Sequence, residues 1–366
     1  KGMKKNYRIV ILSGDGVGPE IVDAALEVLE LVQDLSGRFT LNYEIHQAGA
    51  GCYQETGVPI SPEALEAFQR AHSTLKGPVG LPEVRQPGGT EGGLLGGELR
   101  VKFDLFANVR PIRLYPNVAA PLSNREPDRI DYIILRENCE GLYLSRGVGI
   151  TTPQAATDTL LMTARGCERI SRYAFQLARD KKRGAPEDGK KRVTLVDKSN
   201  VLRSFAFFRK IFQEIAAEFP DVAAESLYID AAAAALVTRP EHFQIIVTEN
   251  MFGDILSDLG GATIGGLGMC PAANLGEKLS YFEPIHGSAP DIAGRNLANP
   301  TSQILAAAMM LKHLGESEAA ALVEKAIWQL YAQKRIPLIP NGAVEGGPAI
   351  VVKELKDVLK ALVERT

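Results

Sequence analysis

The stretch Asn250-Met-Phe-Gly-Asp254-Ile-Leu-Ser-Asp258 follows an apolar run, Phe243-Gln-Ile-Ile-Val-Thr. Two carboxylates four residues apart, just past a buried strand, fall on one face of a starting helix. Like charges at that spacing repel unless something positive lies between them, and hard divalent cations take oxygen ligands of this kind. A helix dipole also favours acid in its first turn, which accounts for Asp254 alone. It accounts less well for Asp258, one turn further in among Phe252, Ile255 and Leu256. Metal pair and acidic helix start both stand at this point.

Three arginines occupy distinctive settings. Arg100 sits in Glu-Leu-Arg-Val-Lys, Arg110 closes Asp104-Leu-Phe-Ala-Asn-Val-Arg, and Arg136 ends the apolar run Tyr132-Ile-Ile-Leu. Arginine presents a planar fork suited to carboxylates. Each arginine taken alone is equally a surface ion pair of small value, about 0 to 1 kcal/mol. Lys198, in Val-Asp197-Lys-Ser-Asn200, also ends a strand-like run. Desolvated there it is a candidate base; solvated, it is an ordinary lysine. Tyr143 is a candidate proton donor or a packed aromatic.

Strands and helices must position these groups. Arg8–Leu12, Tyr132–Leu135, Val193–Val196, Leu227–Ile229 and Phe243–Val247 read as buried strands. Helices are expected over Pro19–Gln33, Asp158–Lys181, Phe205–Phe219, Thr301–Leu314 and Glu316–Gln333. The alternation indicates α/β layers. The segment Glu137–Gln154, with several glycines, reads as a protruding hairpin, and 183–190 as a polar surface loop. Ser13-Gly-Asp-Gly-Val-Gly18-Pro-Glu20 invites a dinucleotide-binding reading but places its third glycine one position early. Pro19 suits a first helical position, and no strand ending in an acid follows at the right distance. A tight turn opening a helix is the better reading.

At 366 residues the chain exceeds one ordinary core and suggests two domains or one large α/β domain. The net charge of −3 gives no pull toward nucleic acid or an anionic membrane, and no apolar run approaches 18 residues. No signal peptide is visible, and Lys1-Gly2 ahead of Met3 reads as an addition. Cys52, Cys139, Cys167 and Cys270 are scattered, against a zinc site and for free thiols in a reducing, cytoplasmic setting.

Taken together, the motifs resemble the isopropylmalate and isocitrate dehydrogenase family, β-decarboxylating dehydrogenases of 2-hydroxy acids. The resemblance runs from about residue 8 to 360. It rests on Gly14–Glu20, Asp104–Pro111, Asp197–Asn200, Thr248–Asp258, His286–Gly294 and Asn299-Pro300, in order. It implies two α/β domains around a cleft with a mixed sheet, not a Rossmann dinucleotide fold. Residues 1–105 plus 265–366 would form the first domain on the cofactor side. Residues 106–264 would form the second, carrying the dimer interface of a homodimer with shared active sites.

By that resemblance Arg100, Arg110 and Arg136 hold the two carboxylates of a malate unit. Asp254 and Asp258, with Asp230 of the partner subunit, bind Mg2+ or Mn2+. Lys198 of the partner subunit takes the hydroxyl proton, and Tyr143 protonates the enolate carbon after CO2 leaves. His286, Gly287, Ser288, Ala289, Asp291 and Asn299 resemble adenosine-contacting positions, and Asn200 a nicotinamide contact. An acid at Asp291 implies NAD, because a carboxylate repels a 2′-phosphate; NADP relatives carry Lys-Tyr where this chain has Asp291-Ile292.

The substrate's third group is where the pattern departs. Isopropylmalate enzymes usually have Arg-Glu-Leu-Thr-Gly-Gly where this chain has Arg136-Glu-Asn-Cys-Glu-Gly141. The Ser and Asn of prokaryotic isocitrate enzymes are replaced by Leu94 and Gly96. The extra arginine of homoisocitrate enzymes is missing between Pro87 and Leu99. Leu94 and Leu95 favour an apolar substituent, so 3-isopropylmalate is expected first. D-malate or tartrate comes second, then isocitrate or homoisocitrate. A non-catalytic regulatory subunit is the rival outside catalysis, disfavoured by the retention of Tyr143, Lys198, Asp230, Asp254 and Asp258.

Overall fold

The computed structural model describes residues 4–122, 126–340 and 342–364; Lys1-Gly2, read above as an addition, lies outside them. Strands β1 (Lys5–Leu12), β2 (Phe39–His46) and β3 (Ser73–Lys76) are joined through helices α1 (Gly18–Ser36), α2 (Ala50–Thr56) and α3 (Pro62–Arg70). After them come β4 (Ala107–Arg113), β5 (Asp131–Glu137), the short pair β6 (Ile150–Thr151) and β7 (Ala156–Thr157), and α4 (Ala164–Asp180). The chain then alternates through β8 (Arg192–Asp197), α5 (Arg203–Ala216), β9 (Ala223–Tyr228), α6 (Ile229–Thr238), β10 (Ile245–Thr248) and α7 (Asn250–Thr263). It closes with β11 (Pro271–Leu275), β12 (Ser280–Pro284), α8 (Thr301–His313), α9 (Ser317–Ala332) and α10 (Gly347–Glu364).

Ten strands form one mixed sheet in the order β2-β1-β3-β12-β11-β4-β5-β10-β8-β9. Strand β4 runs antiparallel to both neighbours, β5 and β11, and β11 is antiparallel to β12. The flanking pairs are parallel. Parallel strands are covered on both faces, which explains the unbroken apolar runs of β1 and β10. One apolar cluster reaches from Ile9 and Val28 through Ile134 and Val247 to Leu355.

Local signals set the element ends. Pro19 stands in the first turn of α1, and Gly37 closes it in the left-handed region at φ +63°. The expected helix from Asp158 begins only at Ala164, because the Thr163 hydroxyl accepts from Gly166 N and caps it there. The expected strand Leu227–Ile229 stops at Tyr228; Ile229 already opens α6. The hairpin expected over Glu137–Gln154 forms later, as the β6–β7 pair, while Leu142–Ser145 makes a 3-10 turn; Val148 and Ile150 are exposed. Among the described residues no helix is long and apolar enough to cross a membrane.

Candidate active site

Strand register decides which motif residues meet. Thr248, near the end of β10, lies beside Arg136 of parallel β5. Helix α7, starting two residues later, therefore rises next to the Arg136 side chain. Glu249 caps α7, accepting from Met251 N at 3.0 Å and Phe252 N at 2.6 Å. Across β4 and β5, Asn108 sits opposite Arg136, which brings Arg110 to the same place.

Asp254 is the centre of the cluster. Its Oδ1 accepts from Arg136 Nη1 and from Arg110 Nη1, the latter at 3.2 Å. Its Oδ2 accepts from the Tyr143 hydroxyl at 3.1 Å. Arg110 also donates to Ser257 Oγ at 2.6 Å and Asn108 Oδ1 at 3.0 Å, and Arg136 donates to Asn250 Oδ1 at 2.9 Å. Both guanidinium groups are buried, and buried charge is tolerated only when paired and hydrogen-bonded. Burial pushes the Asp254 carboxyl up, but Arg136, Arg110 and Arg100 overcome this and hold it below the ordinary range. Asp258, one turn on and facing outward, moves the other way. Desolvation, then repulsion from Asp254, raises its carboxyl. Burial, then Asp254, keeps the Tyr143 phenol above its usual value and so protonated near neutrality.

Gly253 explains how Arg136 reaches Asp254. A Cβ there would lie 2.6 Å from the Arg136 Cβ and 2.7 Å from its Cγ. Gly253→Ala gains about 1 kcal/mol of helix propensity but incurs about 1–3 kcal/mol of overpacking and shifts Arg136. We expect any turnover at this site to fall by roughly a hundredfold, with the circular dichroism spectrum retained. Unchanged kinetics in a folded variant would show that the glycine does not set the position of Arg136.

Arg100 joins the site from a wide π-type turn, Gly96–Val101. Its Nε donates to the Tyr281 hydroxyl at 2.7 Å and its Nη2 to Glu283 at 2.9 Å. Glu283 also pairs with Lys76 at 2.7 Å and accepts from Asn274 at 2.9 Å. Asn274 in turn accepts from Asn108 at 2.8 Å and Asn138 at 2.9 Å. A buried chain of polar side chains thus links Arg100 on β12's side of the sheet to Arg110 and Asp254. Sequence reading missed this chain, because Asn138, Asn274 and Glu283 come together only across β11.

Lys198 and Asp230 are not part of this cluster. They pair with each other, Nζ to Oδ1 at 2.5 Å, and the Lys198 hydrogen bond holds the exposed Asp230 carboxyl low. Asp230 is the second residue of α6, so it does not end a strand as expected. Among the described residues no group of three or more His, Cys, Asp or Glu is placed to hold a metal ion. Asn200 is exposed just beyond Lys198.

Leu94 and Leu95 require a correction. A cavity of about 220 Å3 is lined by Arg100, Tyr143, Asn250 and the backbone of Gly96 and Gly97, and neither leucine lines it. Leu95 is buried in a separate cluster with Val10, Ile60 and Phe68. Leu95 is used in packing, and half-buried Leu94 lies outside this cavity. Val101 and Leu144 line the cavity instead, together with Arg146. Arg146 follows Tyr143 by three residues across a 3-10 turn, Leu142–Ser145. That spacing eclipses side chains and was the signal available in the sequence.

The segment after β12 begins with His286, whose Nδ1 lies 2.7 Å from Gly287 O and whose Nε2 lies 3.1 Å from Ser302 Oγ. Burial lowers its imidazole, leaving it neutral. Gly287 is exposed with open space where a Cβ would be. Ser288 is buried; its Oγ donates to Gly80 O and its carbonyl accepts from Val17 N at 2.8 Å. Ala289 follows at φ +40°. Asp291 is exposed and has no cationic partner among the described residues. Asn299 differs from expectation. Its amide donates to Tyr331 OH at 3.3 Å and Gly342 O at 3.1 Å, and its oxygen accepts from Thr301 N, so its side chain is committed inside the protein. The glycine-rich turn is also structural. A Cβ on Gly14 or Gly16 would lie 2.0 Å from Pro78 O or 2.1 Å from Ser288 O.

Residues 8–337 match the family model described as isocitrate/isopropylmalate dehydrogenase. A 3-isopropylmalate dehydrogenase of Methanothermobacter thermautotrophicus is 42% identical over 90% of this chain and 92% of its own length. An isocitrate dehydrogenase [NADP] of Thermus thermophilus is 40% identical over 90% of this chain and 62% of its own. The crystal structure of isocitrate dehydrogenase from Methylococcus capsulatus superposes with a TM-score of 0.84 at 34% identity, covering 97% of this chain and 99% of that one. The α/β fold with its large mixed sheet is that of the isocitrate/isopropylmalate dehydrogenases. This chain belongs to the isocitrate/isopropylmalate dehydrogenase family.

Proposed function

We propose that the protein catalyses NAD-dependent oxidative decarboxylation of a 2-hydroxy dicarboxylate, a malate substituted at C3. The observation that carries this is the convergence of Arg110, Arg136 and Tyr143 on Asp254, beside Asp258 and within reach of the cavity lined by Arg100. Residues 1–105 plus 265–366 and 106–264 are proposed as the two domains, with the site between them.

The residues fit a divalent cation. Asp254 and Asp258 offer hard oxygen donors on one helix face, and the Asp258 carboxyl is raised by desolvation and then by repulsion from Asp254. The third protein ligand is assigned to Asp230 of the partner subunit, in a homodimer. Val237 of α6 and Ile255 of α7, exposed on two packed helices, support an apolar subunit contact. The residues also fit NAD. Asp291 offers an unpaired carboxylate to ribose hydroxyls, and the open Gly287 leaves room beside the neutral His286.

When bound, Mg2+ or Mn2+ supplies Lewis acidity at the substrate hydroxyl and its adjacent carboxylate, and NAD supplies the hydride acceptor. Arg100, Arg110 and Arg136 hold the two carboxylates. Lys198 of the partner subunit takes the hydroxyl proton as C2 becomes a ketone. The β-keto acid then loses CO2. Tyr143, kept protonated, delivers a proton to C3.

The relatives' names support 3-isopropylmalate, with Val101 and Leu144 as apolar walls. Arg146 favours a second reading, an anionic substituent. Reduction of NAD with Mn2+ and a panel of 2-hydroxy dicarboxylates tests the whole assignment; no turnover with any of them would end it. With the best substrate, NAD should be preferred over NADP by about a hundredfold in kcat/KM, from Asp291 facing a 2′-phosphate. Asp291→Ala should remove most of that preference. A wild type that prefers NADP would refute the assignment of Asp291.

A further inference from the structure

We propose that Arg146 is a specificity residue that binds an anionic group on the C3 substituent of the substrate. This rests on the reading of the site as one for a 2-hydroxy dicarboxylate. Every other arginine around Asp254 has an anionic partner. Arg100 has Glu283, and Arg110 and Arg136 have Asp254. Arg146 has none among the described residues. Its backbone N donates to Tyr143 O at 3.2 Å, and its guanidinium stands 5.8 Å from the Tyr143 ring centre. Its only other contact of note is steric, a Gly96 whose Cβ would lie 2.3 Å from Arg146 Nη1.

That contact gives Gly96 a purpose. A side chain there would push the flexible end of Arg146 out of its present position. Arg146 therefore lines the same 220 Å3 space as Arg100, Asn138 and Tyr143. Arg146 is exposed at the cavity mouth and forms no ion pair among the described residues; desolvation, then Arg100, lowers its guanidinium, with Tyr143 and Asp254 offsetting only part of this. Two guanidinium groups on one cavity, one of them unpaired, make a receptor for an extra carboxylate. The malate carboxylates are accounted for by Arg100, Arg110 and Arg136. What remains for Arg146 is a group carried on C3, such as the carboxymethyl group of isocitrate. Leu94 and Leu95, the residues that would have favoured an alkyl group, do not line this space.

The test compares isocitrate, D-malate and 3-isopropylmalate, with NAD and Mn2+, in wild type, Arg146→Met and Arg146→Lys. Wild type should turn over isocitrate with the highest kcat/KM. Arg146→Met should lower the isocitrate-to-D-malate selectivity ratio by about ten- to a hundredfold, the size of a lost charge-assisted hydrogen bond. Arg146→Lys should restore part of it, and Arg146→Met should raise the 3-isopropylmalate-to-isocitrate ratio. Equal losses on all three substrates would reveal a merely structural role and overturn the proposal. So would a wild type that prefers 3-isopropylmalate with ratios insensitive to Arg146. Turnover of none of the three would instead overturn the reaction assigned above, and the role of Arg146 with it.

Discussion

Asp254→Asn should lower kcat/KM by about a thousandfold, the equivalent of roughly 4 kcal/mol of transition-state stabilisation. The substitution keeps the size of the side chain and one acceptor oxygen but removes the charge. In the wild type that charge is shared by Arg110, Arg136 and the Tyr143 hydroxyl. Without it, the two buried guanidinium groups repel across a site that has lost its central carboxylate. Mn2+ affinity, read by calorimetric titration, should fall together with turnover. The melting temperature should also drop, since Arg110 and Arg136 lose their anionic partner and are left with neutral acceptors such as Ser257, Asn108 and Asn250. The titration is therefore made well below unfolding. Chelation of wild-type enzyme should abolish activity, and added Mn2+ should restore it. Near-normal turnover in the variant, or wild-type turnover that survives chelation, would rule out a metal role for this carboxylate.

Mixing two inactive variants should restore activity. Lys198 and Asp230 pair with each other, apart from the cluster of Tyr143 and Asp254. If the two partial sites complete each other across a twofold axis, a heterodimer of Lys198→Ala and Tyr143→Phe subunits has one intact site and one doubly impaired site. Random exchange makes about half of the dimers heterodimers, so activity should recover to roughly a quarter of wild type. Each variant alone should stay near its own low rate. No recovery after exchange confirmed by mass spectrometry would mean that each site is built within one chain.

The sequence alone carried the chemistry that sits at the ends of apolar runs. Arg136, Lys198 and the Asp254–Asp258 pair were visible because a charge that follows a buried strand stands out against its neighbours. The helix from Pro19 and the packing role of the glycine-rich turn were readable from local rules, since a proline start and a displaced glycine act within a few residues. Tertiary structure decided everything that depends on which strand lies beside which. The antiparallel insertion of β4 between β11 and β5 brings Arg110, Asn108 and Asn274 together, over sequence separations that no local pattern reports. Leu95 and Asn299 look like binding residues by position but are used up in packing and in internal hydrogen bonds. Whether a side chain faces a core or a cavity depends on what the rest of the chain places opposite it. Arg146 is the converse case. In the sequence it is a lone charge in a glycine-rich, exposed-looking segment. Only the fold, by setting a side-chain-free Gly96 against it and no carboxylate beside it, leaves its charge facing the cavity.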